Sequence, residues 1–250
     1  MLIIERQERV LQILKQRKTA QLEELAQELD VSASTIRRDL EQLEGRGLVD
    51  RTRAGAVHRE AVTTESNLDV TRRMQERVEQ KKAIGNLAAS LIQPQMTVLL
   101  DGGSSVVFAA RQITARPIQV VTNSLVIANH FVEDEQVELL LVGGNLYPRT
   151  GVLVGPIATG CLADLHADVL LFSLAGIYEN EAFNLNLPMA QVEQMMMQQA
   201  AQSVLLMDSS KFGRKSLVRV CGLDEVDQLI TDGEVDRLWH DRLGDRLTIA

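Results

Sequence analysis

Val31-Ser32-Ala33-Ser34-Thr35-Ile36-Arg37-Arg38-Asp39-Leu40 reads as a tight turn followed by the opening of a helix, and it decides the N-terminal fold. Just upstream, Leu22, Leu25, Ala26 and Leu29 recur at helical spacing and mark one side of a helix ending near Asp30. Ser32 supplies an N-cap oxygen for the next helix, whose buried stripe is Ile36, Leu40 and Leu43. Gly45 and Gly47 stop it. Ser34, Thr35, Arg37 and Arg38 remain outward near its start. Two hydroxyls and two guanidinium groups there suit phosphate contacts and bidentate reading of guanine edges in a major groove. The pattern is a helix-turn-helix.

Val10, Ile13 and Leu14 give a third helical stripe between Glu5 and Gln16, which completes a three-helix core. After Gly47, Leu48 to Val57 reads as two short strands around a turn, the wing of a winged helix. Arg51 and Arg53, two apart, share one side of a strand and can reach flanking phosphates or the minor groove. The DNA-contacting set is then Ser32, Ser34, Thr35, Arg37, Arg38, Arg51 and Arg53. The residues alone are also compatible with a plain three-helix bundle that carries a surface arginine pair.

The chain has 250 residues, 45% of them hydrophobic and 3% aromatic, with a formal charge of -8. Its mean hydropathy is -0.02. That length holds one large or two ordinary domains with a core of Leu, Val, Ile, Ala and Met. Residues 1–60 carry 11 Lys/Arg and 11 Asp/Glu, so the rest carries the whole negative balance. A neutral N-terminal part with an arginine cluster suits a specific binder more than a general nucleic-acid coat. No apolar run reaches the roughly 20 residues of a membrane span, and the start lacks the pattern of a signal peptide. A cytoplasmic protein without membrane partners is expected. Cys161 and Cys221 are expected to be buried free thiols. Neither the cysteines nor the four histidines have metal-ligand spacing, so no metal and no cofactor is expected.

The expected domains are a winged helix over 1–58, a linker over 59–75, and an effector-sensing and oligomerisation domain over 76–250. Beyond the linker, a helix with Ile84, Leu87, Ala88 and Leu91 on its apolar face is followed by short apolar runs alternating with helical segments. Strands are expected at 97–100, 118–121, 137–142, 169–174, 204–207 and 229–230, with helices at 106–112, 125–131, 155–165 and 189–201. The fold class is α/β, a mostly parallel sheet flanked by helices behind the N-terminal winged helix.

Ligands of such sheets bind beyond the C-terminal strand ends. The loops there are Asp101-Gly102-Gly103-Ser104-Ser105, Thr122-Asn123-Ser124, Gly143-Gly144-Asn145 and Asp208-Ser209-Ser210-Lys211-Phe212-Gly213. Each alone is an ordinary turn or cap. Several at equivalent strand ends point to a small polar anion, held by backbone N–H groups, hydroxyls and the Lys211 cation. The spacing matches neither a P-loop nor a dinucleotide fingerprint.

Glu24-Leu25-Ala26, Leu29-Asp30-Val31-Ser32, Thr35 to Leu40 and Leu43-Glu44-Gly45-Arg46-Gly47 closely resemble the N-terminal domain of DeoR-type bacterial transcriptional regulators. The wing departs, with Arg53-Ala54-Gly55-Ala56 where the family has His-Gly-Gly-Ala. The second half resembles the family's effector domain more loosely, through Asp101 to Ser105, Thr122 to Ser124, Gly143-Gly144, Asp208 to Gly213, and Lys81 in the first helix. This resemblance implies a fold similar to ribose-5-phosphate isomerase that senses phosphorylated sugars or related metabolites. It further implies a repressor, double-stranded operator DNA as partner, and a homo-oligomer, dimeric or higher. Two departures stand in the second half: Ala175 replaces the acid of the family's Asp-Gly-Ile, and Glu193 replaces a lysine. A regulator with a vestigial pocket and no effector is one alternative. An isomerase-like enzyme is another, with Asp101 and Asp208 as its candidate acid/base groups.

Overall fold

The computed structural model describes residues 3–17, 19–45, 49–52, 55–58 and 70–250. The chain divides into two compact units, Met1–Asn67 and Leu68–Ala250.

The first unit contains α1 (Ile3–Arg17), β1 (Thr19–Gln21), α2 (Leu22–Glu28), α3 (Ala33–Gly45), β2 (Val49–Arg51) and β3 (Gly55–His58). Its core is the set that helical spacing picks out: Val10, Leu14, Leu22, Leu25, Leu29, Ile36, Leu40 and Leu43 are all buried, with Val49 and Ala56 from the wing. Asp30 turns the chain with φ 50°. Ser32 then caps α3, its Oγ accepting from the Thr35 N–H at 3.2 Å. The strands form an antiparallel sheet in the order β1-β3-β2. β1 is absent from the sequence reading because three residues are too short to display an alternation. Gly55 is there for clearance, since a Cβ on it would stand 2.1 Å from the Ala20 carbonyl oxygen.

Asp39, in the middle of the quoted stretch, points inward and is 3% exposed. Arg6 of α1 clamps it from Nε at 2.5 Å and from Nη2 at 3.1 Å. Gln7 bridges Asp39 and Gln42. The helix that presents Arg37 and Arg38 is therefore held to α1 by a charged fork as well as by its apolar stripe.

The second unit begins with α4 (Val70–Gln75), α5 (Val78–Ala89), β4 (Thr97–Leu100), α6 (Ser104–Ala110), β5 (Ile118–Thr122), α7 (Leu125–Phe131) and β6 (Val137–Leu141). It continues with β7 (Asn145–Tyr147), β8 (Val152–Val154), α8 (Pro156–Ala163), β9 (Ala167–Phe172), β10 (Gly176–Tyr178) and β11 (Glu181–Asn184). It closes with α9 (Leu187–Gln198), β12 (Ala200–Leu206), β13 (Val218–Gly222), β14 (Gln228–Thr231), α10 (Arg237–Leu243) and β15 (Leu247–Ile249). Seven strands form a wholly parallel sheet in the order β15-β14-β12-β9-β4-β5-β6. The chain builds outward from β4 through β5 to β6, then returns to β9 and builds the other way. The order thus reverses between β4 and β9, and the crevice beyond their C-terminal ends is where such sheets bind ligands.

Successive residues of each strand feed opposite layers. Val98, Leu100, Val169, Leu171, Val204 and Leu206 pack with Ile84 and Ala88 of α5 and with Val106 and Ala110 of α6. Leu99, Leu170, Phe172 and Leu205 pack with Leu162 of α8 and with Val192 and Met196 of α9. Two small antiparallel sheets, β10-β11-β13 and β7-β8, lie outside the sequence reading because their strands are only three to five residues long.

Several boundaries move. Residues 70–75, assigned from the sequence to the connecting stretch, form α4; its Val70 is buried and donates its N–H to the Arg149 carbonyl at 3.1 Å. The last long helix stops at Gln198 and β12 starts at Ala200, earlier than the apolar run that begins at Val204. The expectation of two buried thiols holds only for Cys221; Cys161 is exposed, on the outer side of α8. No helix of the described residues is long and apolar enough to cross a membrane.

Candidate DNA-contacting helix and candidate sensor site

On α3, Ser34, Arg37 and Arg38 are exposed and Thr35 is half-buried. Ser32 Oγ lies 2.9 Å from Ser34 Oγ and 2.8 Å from Thr35 Oγ1. This hydroxyl cluster sits at the start of the helix, with the two guanidinium groups one turn further on. The same turn therefore caps the helix and lines its outward face. Arg51 lies in β2, but its side chain is outside the described set; Arg53 lies outside the described residues altogether.

In the second unit, Asp101 leaves β4 and is 3% exposed. Its N–H donates to the Leu171 carbonyl at 3.1 Å. Its Oδ2 accepts from the Gly103 N–H at 3.2 Å and the Ser173 N–H at 3.4 Å. Asp101 therefore ties together the two loops that flank the reversal of strand order. Burial holds its carboxyl above the usual range, against the opposing pull of the Gly102, Ser173 and Gly103 N–H groups and the Arg73 charge.

Glu193 of α9 stands close enough to Asp101 for the two charges to repel, and it is 1% exposed. Asn184 of β11 donates to its Oε1. Its Oε2 has no hydrogen-bond partner among the described residues. Burial first, and Asp101 second, push this carboxyl well above its ordinary value.

Cations meet these acids. The charge of Arg73 on α4 acts on Asp101, Glu193, Lys81 and Lys211 alike. Lys81 of α5 is 3% exposed. It donates to the carbonyls of Arg73 and of Glu76, the latter at 2.6 Å. Burial lowers its pKa to about 8, partly offset by Asp208. Lys211 is half-buried and also lowered, first by burial, with Asp208 opposing. Asp208 at the end of β12 is contacted by Arg77 at 3.3 Å, and Arg77 also reaches Ser209 Oγ at 2.8 Å and Glu234 at 2.6 Å.

The remaining sequence-selected residues are tied into the fold. A Cβ on Gly102 would fall 2.0 Å from Val152 Cγ1, and one on Gly103 would fall 2.5 Å from Ser173 Cβ. These glycines admit the β7-β8 hairpin and the β9 loop. Ser104 and Ser105 open α6 and are buried. Thr122 Oγ1 donates to the Leu100 carbonyl at 2.6 Å. Asn123 pairs with Leu153 through its backbone carbonyl at 2.7 Å and its Nδ2 at 3.3 Å. Ser124 caps α7 through Ile127 N–H at 3.4 Å. Gly144 runs against Val154 with φ 145°, and Gly143 neighbours Ile157 and Cys161.

The structure thus ties Asp101 to Ser173, and joins Asn123 and Ser124 to Leu153 and Val152 of the β7-β8 hairpin. Arg73 and Glu76 escape the sequence reading because they fall at the polar start of the second unit, where nothing periodic marks them. Asn184 escapes because it belongs to a four-residue strand. Among the described residues, no group of three or more His, Cys, Asp or Glu side chains is placed to hold a metal ion.

Comparison with known proteins fits both halves. Residues 6–62 match the DeoR-like helix-turn-helix domain, and residues 76–233 match the DeoR C terminal sensor domain. The chain belongs to the DeoR family of transcriptional regulators. It is 34% identical to the HTH-type transcriptional regulator GlpR of Haloferax volcanii, over 94% of this chain and 92% of that protein. It is also 34% identical to the HTH-type transcriptional repressor GlcR of Bacillus subtilis, over 94% and 90%. The L-fucose operon activator of Escherichia coli is 34% identical over 91% and 94%. Among solved structures, ribose 5-phosphate isomerase A from Methanocaldococcus jannaschii is similar over 55% of each chain, at TM-score 0.40 and 16% identity. These near-full-length relatives carry the names of regulators, and this DeoR-family chain is a DNA-binding regulator with a sensor domain rather than an enzyme.

Proposed function

We propose that this DeoR-family chain represses a sugar or related catabolic operon, and that a phosphorylated metabolite bound between β4 and β9 controls its hold on the operator. In this reading α3 enters the major groove. Arg37 and Arg38 reach base edges and phosphates, Ser32, Ser34 and Thr35 supply hydroxyl contacts, and Arg51 and Arg53 of the wing contact flanking backbone. Operator half-sites related by a two-fold axis call for a dimer or a higher homo-oligomer.

The observation that carries the effector half is Asp101 tied to Gly103 and Ser173 across the reversal of strand order, with buried Lys81 on the Arg73 and Glu76 carbonyls and Arg77 joined to Asp208 and Ser209 of the Lys211 loop. Cations at the mouth of a parallel sheet favour a compact dianion such as a phosphate monoester. The rest of the expected set, Gly102 to Ser105, Thr122 to Ser124 and Gly143-Gly144, frames that mouth. Two relatives named for a repressor and for an L-fucose operon support the sugar-linked setting.

Isothermal titration calorimetry with a panel of sugar phosphates tests the site. One or more should bind the wild-type chain and bind Lys211→Ala about tenfold or more weakly, the loss of one charge-assisted contact. Uniform silence across the panel would favour the vestigial pocket, for which the loss of a carboxylate at Ala175 is the supporting observation.

A further inference from the structure

The helices α8 and α9 lie side by side on the face of the sheet opposite α5 and α6. In a chain that is 24% charged, the 8 residues of α8 and the 12 of α9 include one charged residue, Glu193, and it is buried. The outward helices α5 and α10 of the same unit instead expose Glu79 and Lys82, and Arg237, Asp241 and Arg242. Between α8 and α9 runs a cleft of about 340 Å³, lined by Pro156, Thr159, Gln191, Gln194, Met195 and Gln198. Beside it on α8, Ile157 is 63% exposed, and Cys161, one turn further on, is exposed as well. This ridge continues into the loop after β6, where a Cβ on Gly143 would stand 3.6 Å from Ile157 Cγ2 and 3.9 Å from Cys161 Sγ. Leu187, at the start of α9, is 56% exposed. Depletion of charge, exposed aliphatic side chains and a methionine in the cleft are the marks of a protein contact.

Two features select a second copy of this chain as the occupant. A knob, Ile157, and a hole, the cleft, stand next to each other on one face, which makes the face self-complementary: about a two-fold axis each copy's knob enters the other's hole. Charge points the same way. The chain carries -8, nearly all of it in the second unit, so two copies repel unless they meet where neither presents charge. A strongly basic or acidic partner would find no counter-charge on α8 or α9. We propose that α8 and α9 form the subunit interface, a second copy packing on them with Ile157 of each inserted in the α8–α9 cleft of the other. Met195, unbranched and flexible, adapts the cleft to the entering side chain. The inference rests on the reading of this chain as a homo-oligomer and adds the face that makes it.

Sedimentation velocity on the full chain, across the micromolar range, tests the interface in wild type, Ile157→Lys, Gln191→Glu and the double variant. Wild type should sediment as a dimer or a larger even-numbered assembly. Each single variant should weaken association about a hundredfold or more, because it buries a charge without a partner. The double variant should recover at least about tenfold of that loss, since the lysine of one copy then meets the glutamate of the other. Both positions are exposed in the single chain, and circular dichroism establishes that the variants fold. A second measurement needs no substitution: Cys161 should react with a thiol reagent more slowly where the chain associates than where it is dilute, while buried Cys221 stays silent in both. Single variants that associate like wild type would overturn the α8–α9 assignment and leave a homo-oligomer built on another face. A wild type that sediments as a single chain throughout would overturn the interface and the homo-oligomer together. A double variant that recovers nothing would overturn the insertion of Ile157 in the cleft. Should the variants fail to fold, Cys161 that reacts equally fast in the associated wild type would overturn the assignment by itself.

Discussion

The helix-turn-helix and the crevice beyond β4 and β9 are built on opposite principles. In the first unit the outward residues of α3 rest on a local pattern: Ile36, Leu40 and Leu43 are buried, so Arg37 and Arg38 must face out. One inward ion pair, Arg6 with Asp39, fixes the helix from behind. In the second unit the charged groups come from α4, α5, α9 and the loops after β4 and β12, and Lys81, Asp101, Glu193 and Asp208 among them are buried. A surface that must meet a large polyanion can be written on one helix. The crevice beyond β4 and β9 is assembled from across the sheet, and Gly102 and Gly103 in it serve packing.

The largest expected effect sharpens this contrast at α3. Arg37→Ala and Arg38→Ala, each removing about 1–3 kcal/mol of base and phosphate contact, should together lower specific operator affinity by about a hundredfold or more. Thermal melting of the double variant should stay near wild type, because both side chains are exposed. Electrophoretic mobility shifts read the affinity, and an unchanged value would break the assignment of α3 as the recognition helix.

Asp39→Ala, two residues from Arg37, should do the reverse. It strands Arg6 near the core and should cost the first unit about 3 kcal/mol, seen as a drop in its urea midpoint. Asp39→Ala with no loss of stability would show that the fork carries nothing.

At the crevice, Gly102→Ala should destabilise the second unit by about 2 kcal/mol, because the new methyl meets Val152 at 2.0 Å. A tolerated substitution would mean the β7-β8 hairpin moves aside easily. Lys81 provides a pH-dependent test. Its folded pKa of about 8 lies below the unfolded value of 10.5. Between those values the unfolded chain binds more protons, so Lys81 makes stability rise with pH from about 8 to 10.5. The destabilisation is fully present below that window and gone above it. Lys81→Met should remove this contribution, on the order of 1–2 kcal/mol, from the stability curve. A wild-type curve that the substitution leaves unaltered would place Lys81 in contact with water. Smallest of all, Gly160→Ala in α8 meets nothing within 4 Å and should stabilise by about 0.5–1 kcal/mol, in contrast to Gly102→Ala.

The contrast also explains what could be read from the sequence. Helical stripes and the Ser32 cap are local, and they lead directly to α2, α3 and the outward arginines. The apolar runs at 97–100 and 118–121 are equally local and mark β4 and β5. The ion pair of Arg6 and Asp39 spans 33 residues and leaves no local trace. The meeting of Asp101 with Ser173, separated by 72 residues, depends on β9 lying beside β4, which only the completed sheet decides. Arg73 sits where the chain looks like linker, so its place at the centre of the cluster is legible only after folding. Glu193 is visible in the sequence as a departure from the family pattern, but its unmatched oxygen emerges only once Asn184 is seen to occupy the other.

The central claim couples these two regions: a ligand at the β4–β9 crevice changes how tightly α3 holds DNA. Fluorescence anisotropy of the full chain on DNA upstream of its own gene, at fixed salt, with and without a panel of sugar phosphates, measures that coupling directly. Sequence-specific, salt-sensitive binding is expected, weakened about fivefold or more by at least one phosphorylated sugar in the wild type and no longer weakened by it in Lys211→Ala. Specific binding that no member of the panel alters, or a response that survives intact in Lys211→Ala, would contradict it.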